Sequence, residues 1–255
     1  MLCFWVQQTF LKIHEPACRQ AGFFMNYFIL VLIFCFSIFL YVIYFLSHDD
    51  FVILRNDVSM EKIFNAAFLF SAAALLFSRL FYAILNPADV YFSILGFFLF
   101  PYFPGLSLAG GLLGGFIFLI TYSKFKNLPV GRLFDFFSIG FLISSPFGFL
   151  GYILLSTQQL SYNILISLIL NLLLVFVFAK YVLSLTLSGK LKDGSLGILF
   201  LISFSGIFFL ISILLNMGYI LSAENLILLG IAIFLSIPLL RQEGYEWYQN
   251  YLRRR

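Results

Sequence analysis

One arginine stands inside a long apolar run, and its type and placement make it the residue best suited to chemistry. Arg79 lies in Ser78-Arg79-Leu80-Phe81-Tyr82, with Asn86 at the end of the same stretch. A charge within a membrane helix costs at least about 2.5 kcal/mol on insertion scales, so such a residue usually faces a bundle interior, a polar cavity or the interface. A guanidinium holds phosphate with a two-pronged fork. Arg79 and Tyr82 therefore point to a lipid headgroup; the bland alternative is that Arg79 snorkels to the headgroup layer or pairs with Asp89.

Glycines form the second constellation. In Gly105-Leu106-Ser107-Leu108-Ala109-Gly110-Gly111-Leu112-Leu113-Gly114-Gly115, two GxxxG pairs overlap, Gly110 with Gly114 and Gly111 with Gly115. Such pairs let another helix backbone come close, which packing alone can explain. The broken fourth apolar run is the expected neighbour of this face. That run carries Pro146-Phe147-Gly148-Phe149-Leu150-Gly151, a cluster expected to break its helix near the middle and so to open backbone groups to a ligand or to kink the packing. Asp135 could be catalytic in principle, but charge at a helix N-terminus is the commoner role. His14 and His48 are far apart with no ligand-spaced partner, and Cys3, Cys18 and Cys35 show neither CxxC nor Cys/His spacing. No metal site, cofactor motif, Ser/His/Asp set or paired carboxylates can be read.

These residues need elements to hold them, and the composition says which. Of 255 residues 62% are hydrophobic, 20% aromatic and 10% charged, against roughly 25% charged in a soluble domain. A bilayer core of about 30 Å takes about 20 apolar residues to cross as helix. Seven stretches qualify: residues 26–46, 63–85, 107–123, 133–155, 163–183, 196–215 and 225–240. The expected fold is all-α, a polytopic bundle of seven transmembrane helices. Its domain plan is an N-terminal arm or a mis-assigned start over 1–25, with translation at Met25 as the alternative, then the bundle over 26–240 and a basic tail over 241–255. Residues 91–100 are apolar but too short to span, and are expected to be interfacial or re-entrant.

With the N-terminus outside and the C-terminus inside, twelve of the fifteen Lys and Arg residues fall on the inner side and the outer loops carry none. The positive-inside rule thus sets the orientation, and a crossing by 91–100 would destroy the asymmetry. The basic residues sit at segment ends without a polar groove, so nucleic acid is excluded as a partner. Spans with so few ionisable groups also argue against an ion-coupled transporter.

The Ser78-Arg79-Leu80-Phe81-Tyr82 run, the glycine run and Leu128-Pro129 followed by Arg132-Leu133-Phe134-Asp135 resemble, in order and spacing, the prolipoprotein diacylglyceryl transferase family. The family pattern reads approximately GARLxY, GLSFHGGLLGG, LPxxRLLDLL and GRIGNFINGE, and Tyr27 falls where the family has a tyrosine in its first helix. The resemblance implies a seven-helix enzyme of the bacterial inner membrane that moves diacylglyceryl from phosphatidylglycerol to a lipobox cysteine. It covers residue 26 to about residue 155 and is weak beyond 160.

The departures fall on the catalytic positions. Ala109 stands at the family histidine, and on the GRIGN signature Phe149 replaces arginine and Tyr152 replaces asparagine while Gly148 and Gly151 remain. The family's outer head shrinks to residues 156–162, and its sixth-helix Glu and Arg have no counterpart in 197–216. The resemblance therefore implies a degenerate member without catalytic residues, whose lipid-binding set is Tyr27, Arg79, Tyr82, Gly110, Gly111, Gly148 and Gly151. Its partners would be a phospholipid, phosphatidylglycerol first, with a lipoprotein signal helix as a second candidate. Two other readings stand beside it: an active transferase rearranged around Tyr27, Arg79 and Tyr82, and a scaffold or transporter-like bundle with a coincidental match. A full-strength transferase elsewhere in the same genome would favour the degenerate reading.

Overall fold

Apolar runs of span length become helices because, in lipid, only a helix satisfies its own backbone polar groups. A computed structural model describes residues 18–87, 106–155, 162–215 and 225–237. In chain order the helices are α1 (Cys18–His48), α2 (Phe51–Arg55), α3 (Met60–Leu85), α4 (Leu108–Phe125), α5 (Val130–Leu155) and α6 (Tyr162–Val177). A π-helical turn (Phe178–Val182) carries α6 into α7 (Leu183–Leu187), and α8 (Ser195–Leu215) and α9 (Asn225–Ile237) follow. Among the described residues five helical stretches are long and apolar enough to cross a membrane, and Ser195–Ile211 and Asn225–Ile237 are shorter apolar helices. The protein is thus a polytopic helical bundle, and each of the seven expected stretches coincides with a helix over its described residues. The main difference is at the start, where α1 begins at Cys18 inside the arm assigned to 1–25. Residues 1–17, 91–100 and 241–255 lie outside the described residues.

Neighbouring helices alternate in direction. Asp50 meets Arg132, Phe39 meets Gly140 and Val31 meets Gly151, so α1 and α5 are antiparallel. Ser107 meets Ser78 and Gly115 meets Phe70, so α3 and α4 are antiparallel too. The chain therefore leaves α3 and enters α4 at the same end of the bundle, which is the parity that a non-crossing 91–100 segment requires. Arg55, Lys62, Lys124, Lys126, Arg132, Lys190 and Lys192 collect at the opposite end, called the inner end below by the positive-inside rule. Cysteine labelling checks this: Asn86→Cys should react with an impermeant maleimide on intact cells, and Lys126→Cys only after permeabilisation. The reverse pattern would invert the topology.

Phenylalanines fill the centre. Phe39, Phe70 and Phe137 bring α1, α3 and α5 together with ring centroids 5.3–5.8 Å apart, and Phe116 of α4 lies 5.4 Å from Phe70. Phe141 stands 5.9 Å from both Phe200 and Phe204 of α8. Lipid tails are as apolar as these rings, so close packing and not water exclusion must hold the bundle. Edge-on aromatic pairs contribute about 0.5–1.5 kcal/mol each beyond their area.

Candidate functional site

The outer halves of α3 and α4 are joined at one point by two hydrogen bonds. Ser78 Oγ donates to Ser107 O at 2.7 Å, and Ser107 N donates to Ser78 O at 3.0 Å. Ser107 Oγ then accepts from Gly110 N at 3.1 Å, capping α4. From this clasp the glycines descend along α3. A Cβ on Gly110 would fall on Phe81 Cβ, one on Gly114 on Phe77 Cβ, and one on Gly115 would sit 3.0 Å from the Phe70 ring. Gly111 is looser, with Ser78 Cβ at 3.4 Å. The glycine face therefore packs against α3, the second span, and not against the fourth as its sequence suggested. The GxxxG spacing marks a close face and does not say which helix will meet it.

Below the clasp, α1, α3, α4 and α5 line a half-open cavity of about 200 Å³. Its wall is mostly leucine and phenylalanine, interrupted by Cys35, Ser71, Ser78, Ser107 and Ser144. Of the seven residues that the sequence nominates for lipid, Gly111 lies on this wall. Arg79 and Tyr82 are buried beside the clasp, 2% and 8% exposed, so Arg79 does not reach out to the headgroup layer as a snorkelling side chain would. Gly110 serves the α3 contact and Gly151 the α1 contact, where a Cβ would stand 2.5 Å from Val31 Cγ1. Gly148 is buried in α5. The Tyr27 and Tyr152 side chains lie outside the described residues.

The fourth span is not broken. α5 runs unbroken from Val130 to Leu155 with Pro146 inside it, because the bond that proline removes is replaced. Pro146 cannot donate to Leu142 O, and Ser145 Oγ does so instead at 2.8 Å. The same Oγ lies 2.9 Å from Asn171 Oδ1 of α6. One hydroxyl proton cannot serve both acceptors, so the amide turned over, with Nδ2 donating to Ser145 Oγ, satisfies the group. That turn also gives a partner to Asn171 Nδ2, which is otherwise buried without one. Ala109 and Phe149, where the resemblance expects a histidine and an arginine, are buried apolar side chains, 0% and 5% exposed.

At the inner end the Arg132/Asp135 motif has a structural explanation. Arg132 Nε and Nη2 donate to Asp50 Oδ2 at 2.9 and 2.6 Å, and Nη1 reaches Asp193 Oδ1 at 3.2 Å. Asp135, one turn on, accepts from Gly194 N and Gly197 N, both at 2.8 Å. Gly194 immediately precedes α8 and Gly197 lies in its first turn, so Asp135 does lie at a helix N-terminus, but that of another helix. Gly194 has φ +95°, which a residue with a side chain rarely adopts, and a Cβ on Gly131 would stand 2.7 Å from Asp193 O. Sequence reasoning missed Asp50 and Asp193, since pairs 82 and 61 residues apart leave no local spacing to read.

Chemically, the outer half offers hydroxyls and a thiol on an apolar cavity, with the Arg79 guanidinium buried on the same helix as Ser78 but off the cavity wall, and the inner half a closed ion-pair knot. Among the described residues no three His, Cys, Asp or Glu side chains gather to hold a metal ion. No curated protein and no solved structure matches the chain. A family model does: that of prolipoprotein diacylglyceryl transferase, over residues 17–157. This match takes in the Arg79 helix, the glycine run, Arg132 with Asp135 and the Gly148/Gly151 pair, more than half of the sequence, and the chain belongs to the prolipoprotein diacylglyceryl transferase family.

Proposed function

We propose that this multi-pass membrane protein is a phospholipid-binding member of its family that lacks the transfer chemistry. Family membership removes the coincidental match as an explanation. The observation that carries the reading is the apolar closure at Ala109 and Phe149, 0% and 5% exposed. Diacylglyceryl transfer breaks the bond between glyceryl carbon and phosphate oxygen and joins that carbon to a cysteine sulfur. It needs a base for the thiol proton and positive charge on the departing glycerol phosphate. A methyl group and a phenyl ring supply neither.

What remains supports binding. The cavity between α1, α3, α4 and α5 suits an acyl chain, since its lining is mainly apolar. Arg79 and Tyr82 lie on α3, on the turn beyond Ser78 toward its outer end, buried beside the clasp. The proposed ligand is an anionic phospholipid, phosphatidylglycerol in a bacterial inner membrane, with a lipoprotein signal helix as the candidate protein partner. Native mass spectrometry on the detergent-purified protein tests this with phosphatidylglycerol as the probe. Arg79→Ala should weaken binding about ten-fold or more, as loss of a charge-assisted bond of about 1.5–3 kcal/mol implies. Arg79→Lys should recover part of it, keeping the charge and losing the fork. Unchanged binding by a folded Arg79→Ala variant would remove Arg79 from the site.

A further inference from the structure

The inner end carries a second surface, far from the cavity and the clasp. Its core is α2, a single turn held rigidly on one side. Asp50 Oδ1 accepts from Val52 N at 3.0 Å and Ile53 N at 3.2 Å, while Oδ2 is gripped by Arg132, and Ile53 is 1% exposed. With that side committed to the bundle, the other is aimed outward: Phe51 is 74% and Leu54 61% exposed. Only Asp49 and Asp50 separate α2 from the end of α1, so it cannot leave the membrane surface. At the same end α4 finishes on Phe125, 80% exposed between the exposed Lys124 and Lys126.

We infer that this end is built to lie in the headgroup layer of the inner leaflet, with an anionic lipid surface as its partner. Phe51, Leu54 and Phe125 enter the acyl boundary, and Arg55, Lys62, Lys124 and Lys126 meet lipid phosphates. Large apolar side chains beside lysines at the mouth of a span have the composition of an interfacial anchor. Asp49, Asp57 and Glu61 are exposed at the same end, so the charge balance is positive but small. Apolar insertion supplies most of the contact, and charge selects among lipids. The buried Asp50–Arg132 pair sets the angle of insertion, because it caps α2 and ties it to α5.

The full-length protein in nanodiscs tests this, with Trp5 and Trp247 changed to Phe and one tryptophan introduced as Phe51→Trp or, separately, Phe125→Trp. Lipids brominated near the headgroup end of their chains should quench either probe at least about two-fold, as insertion into the acyl boundary requires. Brominated phosphatidylglycerol should quench more than brominated phosphatidylcholine, and Lys124→Gln with Lys126→Gln should shrink that difference. Emission at the solvent wavelength and indifferent to bromination would place the surface in water. Blue-shifted but unquenched emission would mean that protein covers it, a second copy or a soluble partner. Either result overturns the inference, and the two probes at separate sites guard against a single misfolded variant.

Discussion

Arg132→Met should cost about 3–5 kcal/mol, because removing one partner of a buried ion pair strands the other. The stranded group is Asp50, whose side chain is 2% exposed and which receives two Arg132 bonds. Asp193 also loses its bond, and with it the loop that presents Gly194 to Asp135. Thermal unfolding in detergent should shift down by on the order of 10 °C. Arg132→Lys should rescue little, since an ammonium cannot span two carboxylates as the fork does. Asp50→Asn combined with Arg132→Met should be milder than Arg132→Met alone, since position 50 then holds no stranded buried charge and asparagine still caps α2. Equal losses in the single and double variants would mean that the pair is not coupled.

The second large effect is expected where α3 and α4 touch. A side chain at Gly114 falls on Phe77 Cβ, which is the root of its side chain and cannot swing aside. Gly114→Ala must push the helices apart, at about 1–3 kcal/mol, and Gly114→Leu at more. Gly111→Ala should be tolerated, its nearest neighbour being Ser78 Cβ at 3.4 Å. Gly206 provides the opposite sign: nothing lies within 4 Å of its added Cβ, so Gly206→Ala should be neutral or should stabilise by up to about 1 kcal/mol through lower backbone entropy. Melting temperatures of the three alanine variants check the order. A Gly114→Ala variant as stable as Gly206→Ala would deny the close α3–α4 approach.

The helices were legible because a span must be apolar over a fixed length, and the polar separators at 48–62, 124–132 and 188–194 end the runs near the observed termini. Partnership between helices was not. The glycine face from Gly110 to Gly115 declares that something comes close, yet only three-dimensional packing assigns it to α3. Pro146 reads as a break because its own chemistry is visible, while the repair by Ser145 depends on a rotamer. Asp135 shows a carboxylate at a helix start, and the amides it caps lie 59 and 62 residues away. Of the candidate lipid set, Arg79 was legible as a charge out of place and its burial was not, since burial is set by neighbours on other helices.

The central claim is that the fold and a lipid site persist without the transfer chemistry. Purified wild-type protein should be incubated with phosphatidylglycerol and a lipobox peptide, and the peptide examined by mass spectrometry for a diacylglyceryl thioether. With Ala109 and Phe149 read as the positions where the family carries its base and cation, the account predicts no product above a mock preparation. Thioether formation above that background, abolished by Arg79→Ala, would contradict it and show a transferase rebuilt around the remaining arginine.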